Sequence, residues 1–127
     1  MSRETKVTAL LFVLATLAGV ALHFLYDVCP NPLTAILAPI DESIWEHGKL
    51  LLWPSVLAAA LLSRLFGKTA RRFAAITFGL VILVVWGYVY NTLLGGIWDA
   101  INILSYVAEM GFVFWLPLRP QDVPPRG

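Results

Sequence analysis

Four stretches, Val7–Tyr26, Ile44–Phe66, Phe73–Leu94 and Ile97–Leu116, are each long and apolar enough to cross a bilayer as a helix, which takes about 20 residues. No other feature narrows the fold so far. Hydrocarbon offers no water to backbone N–H and C=O groups, so such spans must close their hydrogen bonds internally as helices. Composition agrees. Of 127 residues, 59% are apolar and 13% charged, against roughly a quarter charged in average soluble domains. So small a chain has too little interior to hide that much apolar surface from water. The expected class is all-α: one four-helix transmembrane domain over residues 1–116, then a disordered tail, 117–127, with four prolines.

The basic residues give the orientation. Arg3 and Lys6 precede the first span; Arg64, Lys68, Arg71 and Arg72 lie between the second and third; Arg119 and Arg126 follow the fourth. With four spans, eight of the nine basic residues fall on one side and only Lys49 on the other. By the positive-inside rule that side is cytoplasmic, so both termini are expected in the cytoplasm of a cell-membrane protein. Three or five spans would scatter the charges. The first stretch is long for a secretory signal and lacks its small-residue cleavage pattern, so it is expected to be retained. Asp27 and Val28, ahead of Cys29, argue against a lipoprotein signal.

The connections fit this topology. Residues 64–72 make a short basic turn, and Gly95-Gly96 a tight outer hairpin. The long outer connection, Asp27 to about Asp41, contains Pro30, Pro32 and Pro39, and its apolar piece Leu33–Leu37 is too short to span. Tyr26, Trp45, Tyr88, Tyr90 and Trp98 are expected at the outer interface and Trp115 at the inner one. A net charge of +1 and a single cysteine, Cys29, suggest no nucleic-acid partner and no intrachain disulfide.

The polar residues converge on the outer side. Asp27, Asp41, Glu42, Glu46 and Asp99 belong there, with His23, His47, Lys49, Asn91 and Asn102. Ionisable groups in membrane helices are costly and face a bundle interior or a water-filled cavity. At about 100° per residue, Thr16, His23 and Asp27 share about 40° of arc, and Asp99, Asn102, Tyr106 and Glu109 about 80°. Glu42, Glu46, Lys49 and Trp53 share about 60°, with His47 turned about 100° from Glu46 toward another neighbour. Asp41, or Ser43 with Glu46, has the spacing of a helix cap, and Pro54 is expected to kink the helix below. Capping, a Glu46–Lys49 pair and an interfacial tryptophan would account for much of the 41–53 segment without any function. They leave His23, Asp99, Asn102 and Glu109 unexplained.

Leu22-His23-Phe24-Leu25-Tyr26 together with Pro39-Ile40-Asp41-Glu42-Ser43-Ile44-Trp45-Glu46-His47-Gly48-Lys49-Leu50 resembles a family of small prokaryotic integral membrane proteins of unknown function. Its hallmark is Pro-Val-Asn-Glu-Ser-x-Trp-Glu-His-x-Lys-Leu. Ile40 and Asp41 depart conservatively from it, and Gly48 stands where a larger residue is commoner. The resemblance implies a four- or five-helix membrane protein and no particular activity.

Three roles follow from the residues. The first is a metal or acid–base site opening outward. His23, Glu46, His47 and Asp99 would supply nitrogen and oxygen ligands to a divalent metal such as zinc, and Glu42, Glu46 and His47 the acid–base groups. Asp27, Trp45, Lys49, Asn91, Asn102, Tyr106 and Glu109 would line the polar cavity. The spacing matches no standard zinc-protease motif. The second is an ion or small-solute transporter, expected to be a homo-oligomer because four short helices seldom enclose a path. The third is an accessory subunit docking to another membrane protein, with small residues such as Ala58–Ala60, Gly79 and Gly87 allowing close helix contact.

Overall fold

The computed structural model describes residues 2–38 and 44–118, the side chains of residues 44–46 and of Asp99 excepted. The expected caps at Asp41 and Ser43, and the tail from Arg119 onward, lie outside the described residues. Five α-helices follow in order: α1 Arg3–Val28, α2 Pro32–Leu37, α3 Ile44–Phe66, α4 Thr69–Tyr88 and α5 Asp99–Trp115. A π-helical turn, Val89–Leu93, extends α4, and a 3-10 turn, Leu116–Leu118, follows α5. Four helices are long and apolar enough to cross a membrane. α1 continues past the apolar stretch at both ends, so Asp27 is helical and not the first residue of the loop.

The long helices run antiparallel in chain order, α1 against α3, α3 against α4 and α4 against α5, with α1 meeting α5 to close the bundle. Leu51, Ala58, Ala59, Leu62, Ile76, Met110, Val113 and Phe114 fill its centre. Small residues set the closest approach. At Gly79, an added Cβ would run into Val113 Cγ2. Away from the centre the surface is aliphatic: Leu10, Leu17, Leu57 and Leu104 are each more than half exposed. A continuous apolar exterior of this kind suits lipid and not water.

One end of the bundle carries Arg3, Lys6, Arg64, Lys68, Arg71 and Arg72. Gly67 (φ 80°) and Lys68 (φ 64°) make the tight left-handed turn from α3 to α4. Here Glu4, in the first turn of α1, accepts from Lys68 Nζ at 2.8 Å and Arg72 Nη2 at 2.6 Å. Arg72 is only 3% exposed and also donates from Nε to the Gly67 carbonyl at 2.9 Å. An acid on α1 thus ties the first helix to Lys68 and Arg72, at the turn from α3 to α4. The opposite end, which holds both histidines, is the histidine end.

Candidate functional site at the histidine end

α2 builds the floor of this end. Asn31 caps it: its Oδ1 accepts from Thr34 N at 3.0 Å, and Thr34 Oγ1 accepts from Asn31 N at 3.0 Å. Pro32 occupies the first turn, where its missing N–H costs nothing. A six-residue helix is too short to hold itself together, and its last carbonyls need donors. α3 provides them. Lys49 Nζ donates to the carbonyls of Ala35 and Ala38, and Trp53 Nε1 to that of Ile36 at 2.8 Å. A cation at a helix C-terminus also suits the helix dipole. Lys49, expected from its spacing to pair with Glu46, is thereby engaged by α2, though not by α2 alone.

Above this floor the His23 ring on α1 and the His47 ring on α3 lie with centroids 5.3 Å apart. Both are half-buried. The neighbour toward which His47 turns is therefore His23, brought across by the antiparallel pairing of α1 and α3. Neither ring lacks other partners. Asp27, one turn beyond His23, is exposed and makes no ion pair among the described residues. Glu42 and the side chains of Trp45, Glu46 and Asp99 lie outside the described residues. Among the described residues no three His, Cys, Asp or Glu side chains come together as a metal site.

The polar stripe of α5 divides. Asn102 faces Asn91 in a reciprocal amide pair, each Nδ2 donating to the other's Oδ1 at 3.0 Å. Asn91 also donates to the Gly87 carbonyl at 2.9 Å. Trp86 Nε1 donates to Ser105 Oγ at 2.7 Å. Together these zip α4 and α5 at the histidine end. Gly95 (φ 90°) and Gly96 (φ 52°) close the hairpin in backbone conformations that favour glycine. Asn91 sits on the π-helical turn, a feature common near functional sites.

Tyr106 makes a second arrangement. Pro54 has no N–H to give to the carbonyl four residues back, Leu50. Tyr106 Oη donates instead to Leu50 O at 3.2 Å, with Thr16 O at 3.4 Å. The phenol reaches that carbonyl only because Gly19 has no side chain. A Cβ there would overlap Tyr106 Oη and lie 2.8 Å from Leu50 O. Gly19, Pro54 and Tyr106 form one clasp across three helices, directly beneath the histidine pair. Sequence spacing did not show it, although a proline within a span signals an orphaned carbonyl that some donor must satisfy. Glu109, one turn further along α5, is 6% exposed.

A family of unknown function, DUF6512, matches residues 2–111. No curated protein and no solved structure matches the chain. The matched region takes in the whole histidine end, the clasp, and all of α5 except its last turn. The chain belongs to DUF6512.

Proposed function

We propose that this is a multi-pass cell-membrane protein, both termini cytoplasmic, whose outward-facing histidine end binds a divalent metal ion between His23 and His47. The observation that carries this reading is the 5.3 Å between the two ring centroids. With zinc–nitrogen bonds of about 2.0–2.1 Å, two imidazoles on one tetrahedral ion have ring centres about 5 Å apart. The sequence offers carboxylates to complete the set: Glu46 immediately precedes His47, and Glu42 lies four residues before Glu46. Two imidazoles with one carboxylate leave a coordination position for water, as in catalytic rather than structural zinc sites. The topology is supported by the gathering of the described basic side chains, Lys49 excepted, at the opposite end.

Metal analysis of the full-length protein, purified in detergent, tests the site. Stoichiometric zinc retained through gel filtration is expected, with at least a tenfold loss of affinity in His23→Ala and in His47→Ala separately. Lys49→Met, which disturbs α2 without removing a ligand, retains the metal. Absence of zinc from the wild type, or its retention in both histidine variants, would rule the reading out.

A further inference from the structure

We propose that Glu109 is a proton-exchange site in the membrane interior, loaded from the histidine end. It lies midway along α5, and 94% of its surface is covered, since it is 6% exposed. No hydrogen bond or ion pair reaches it among the described residues. Nor can the packed spans offer a counter-charge at that depth. Residues 7–22 of α1, 50–63 of α3 and 73–87 of α4 contain no charged or titratable side chain. Neither do α2 and the 3-10 turn. Tyr106, the nearest titratable group on α5, already donates its hydroxyl to Leu50 O and Thr16 O.

A bare carboxylate in such surroundings is costly, and the charge has to be neutralised by something that arrives from outside. The smallest such ligand is a proton, taken from water by the carboxylate to give the carboxylic acid and returned to water on release. The direction of access follows from what flanks Glu109. Toward the basic end come Met110, Val113, Phe114 and Pro117, all buried and apolar; the one cation beyond them, Arg72, lines a small cavity with Val113, Phe114 and Pro117 and is already held by Glu4. Toward the histidine end come Tyr106 and Asn102, half-buried and polar, with Asn91 facing Asn102. The inference rests on the membrane reading above but not on metal binding.

Dicyclohexylcarbodiimide tests it, because this apolar reagent adds to protonated carboxyls in apolar surroundings and leaves a stable N-acylurea that peptide mass mapping locates. In proteoliposomes of the full chain, Glu109 is expected to be modified, and Glu4, held by Lys68 and Arg72, spared. Raising the pH on the histidine side should suppress modification at least several-fold, and raising it on the basic side should not. An unmodified Glu109, or one governed by basic-side pH, overturns the proposal. Glu109→Gln supplies an independent check: a neutral side chain replacing a neutral one keeps the wild-type melting temperature at neutral pH. A marked drop would mean that a charged carboxylate holds the fold, and would equally overturn it. Zinc retention by Glu109→Gln keeps this site separable from the histidine pair.

Discussion

Gly19→Ala is expected to destabilise the bundle by about 3 kcal/mol, although alanine is the better helix former by about 1 kcal/mol. The new methyl group would occupy the space through which Tyr106 reaches Leu50 O, and would lie 2.8 Å from that oxygen. Either α1 moves away from α3 and α5, or the phenol withdraws and leaves the carbonyl orphaned by Pro54 without a donor. Overpacking of this kind costs about 1–3 kcal/mol and an unsatisfied buried carbonyl a similar amount. Tyr106→Phe alone should lose about 1–2 kcal/mol, the second part only. Because the two changes act on one contact, they should not add. The double variant is expected to be more stable than the sum of the single losses implies, by about 1 kcal/mol. Reversible unfolding in mixed micelles reads all three. Wild-type stability in Gly19→Ala would show that the clasp is not formed.

The second large effect is at the other end. Glu4→Ala should cost about 3 kcal/mol, because it leaves the guanidinium of Arg72, 3% exposed, without its carboxylate. Lys68→Met should cost under about 1 kcal/mol, since Lys68 is one-third exposed and an ion pair in water contributes little. The discriminating variant removes both charges of the Glu4–Arg72 pair. Glu4→Met with Arg72→Leu should recover most of the Glu4→Ala loss, as apolar replacements of whole buried pairs do. Unfolding measured on the same variants decides it. An Arg72 that leaned on Gly67 O alone would make Glu4→Ala as mild as Lys68→Met.

The four long helices were legible because hydrocarbon imposes a length and a composition on each span independently of its neighbours. α1, α3, α5, and α4 taken together with its π-helical turn, accordingly coincide with the apolar stretches to within about a turn. Side-chain pairings were legible only where one helix sufficed to define them. The face of α5 bearing Asn102, Tyr106 and Glu109 follows from 3.6-residue periodicity, yet each of the three meets a different environment. Asn102 pairs with Asn91, Tyr106 threads past Gly19 to Leu50, and Glu109 is buried with no ion-pair partner among the described residues. Which neighbour each finds depends on the relative height of two helices, which periodicity within one does not specify. The same applies to His23 and His47. That both belong to one end follows from topology, whereas their 5.3 Å separation depends on the α1–α3 crossing.

Two local signals were present and carried more than hydropathy shows. Asn31-Pro32-Leu33-Thr34 has a side-chain acceptor, an N1 proline and a returning hydroxyl, which together start a helix inside the proline-rich loop. Glu4 is an acid set among residues that otherwise sort as positive, and it proves to be the anchor of buried Arg72. Lys49 shows what spacing along one helix leaves out. Its i,i+3 spacing to Glu46, whose side chain lies outside the described residues, suggests a pairing along one helix, and the carbonyl ends of α2, fourteen and eleven residues away, add partners that this spacing does not show. A capped helix in a connection alters the partners of every donor within reach.

The arrangement as a whole depends on sidedness, and the chain carries its own reporter. Cys29 is the only cysteine, is exposed, and follows α1 at the histidine end. A membrane-impermeant maleimide applied to intact cells should label the full-length protein at Cys29, and the Cys29→Ser, Arg71→Cys double variant should react only after the membrane is opened. Protection of Cys29 in intact cells, or labelling of both positions from the same side, would contradict the account.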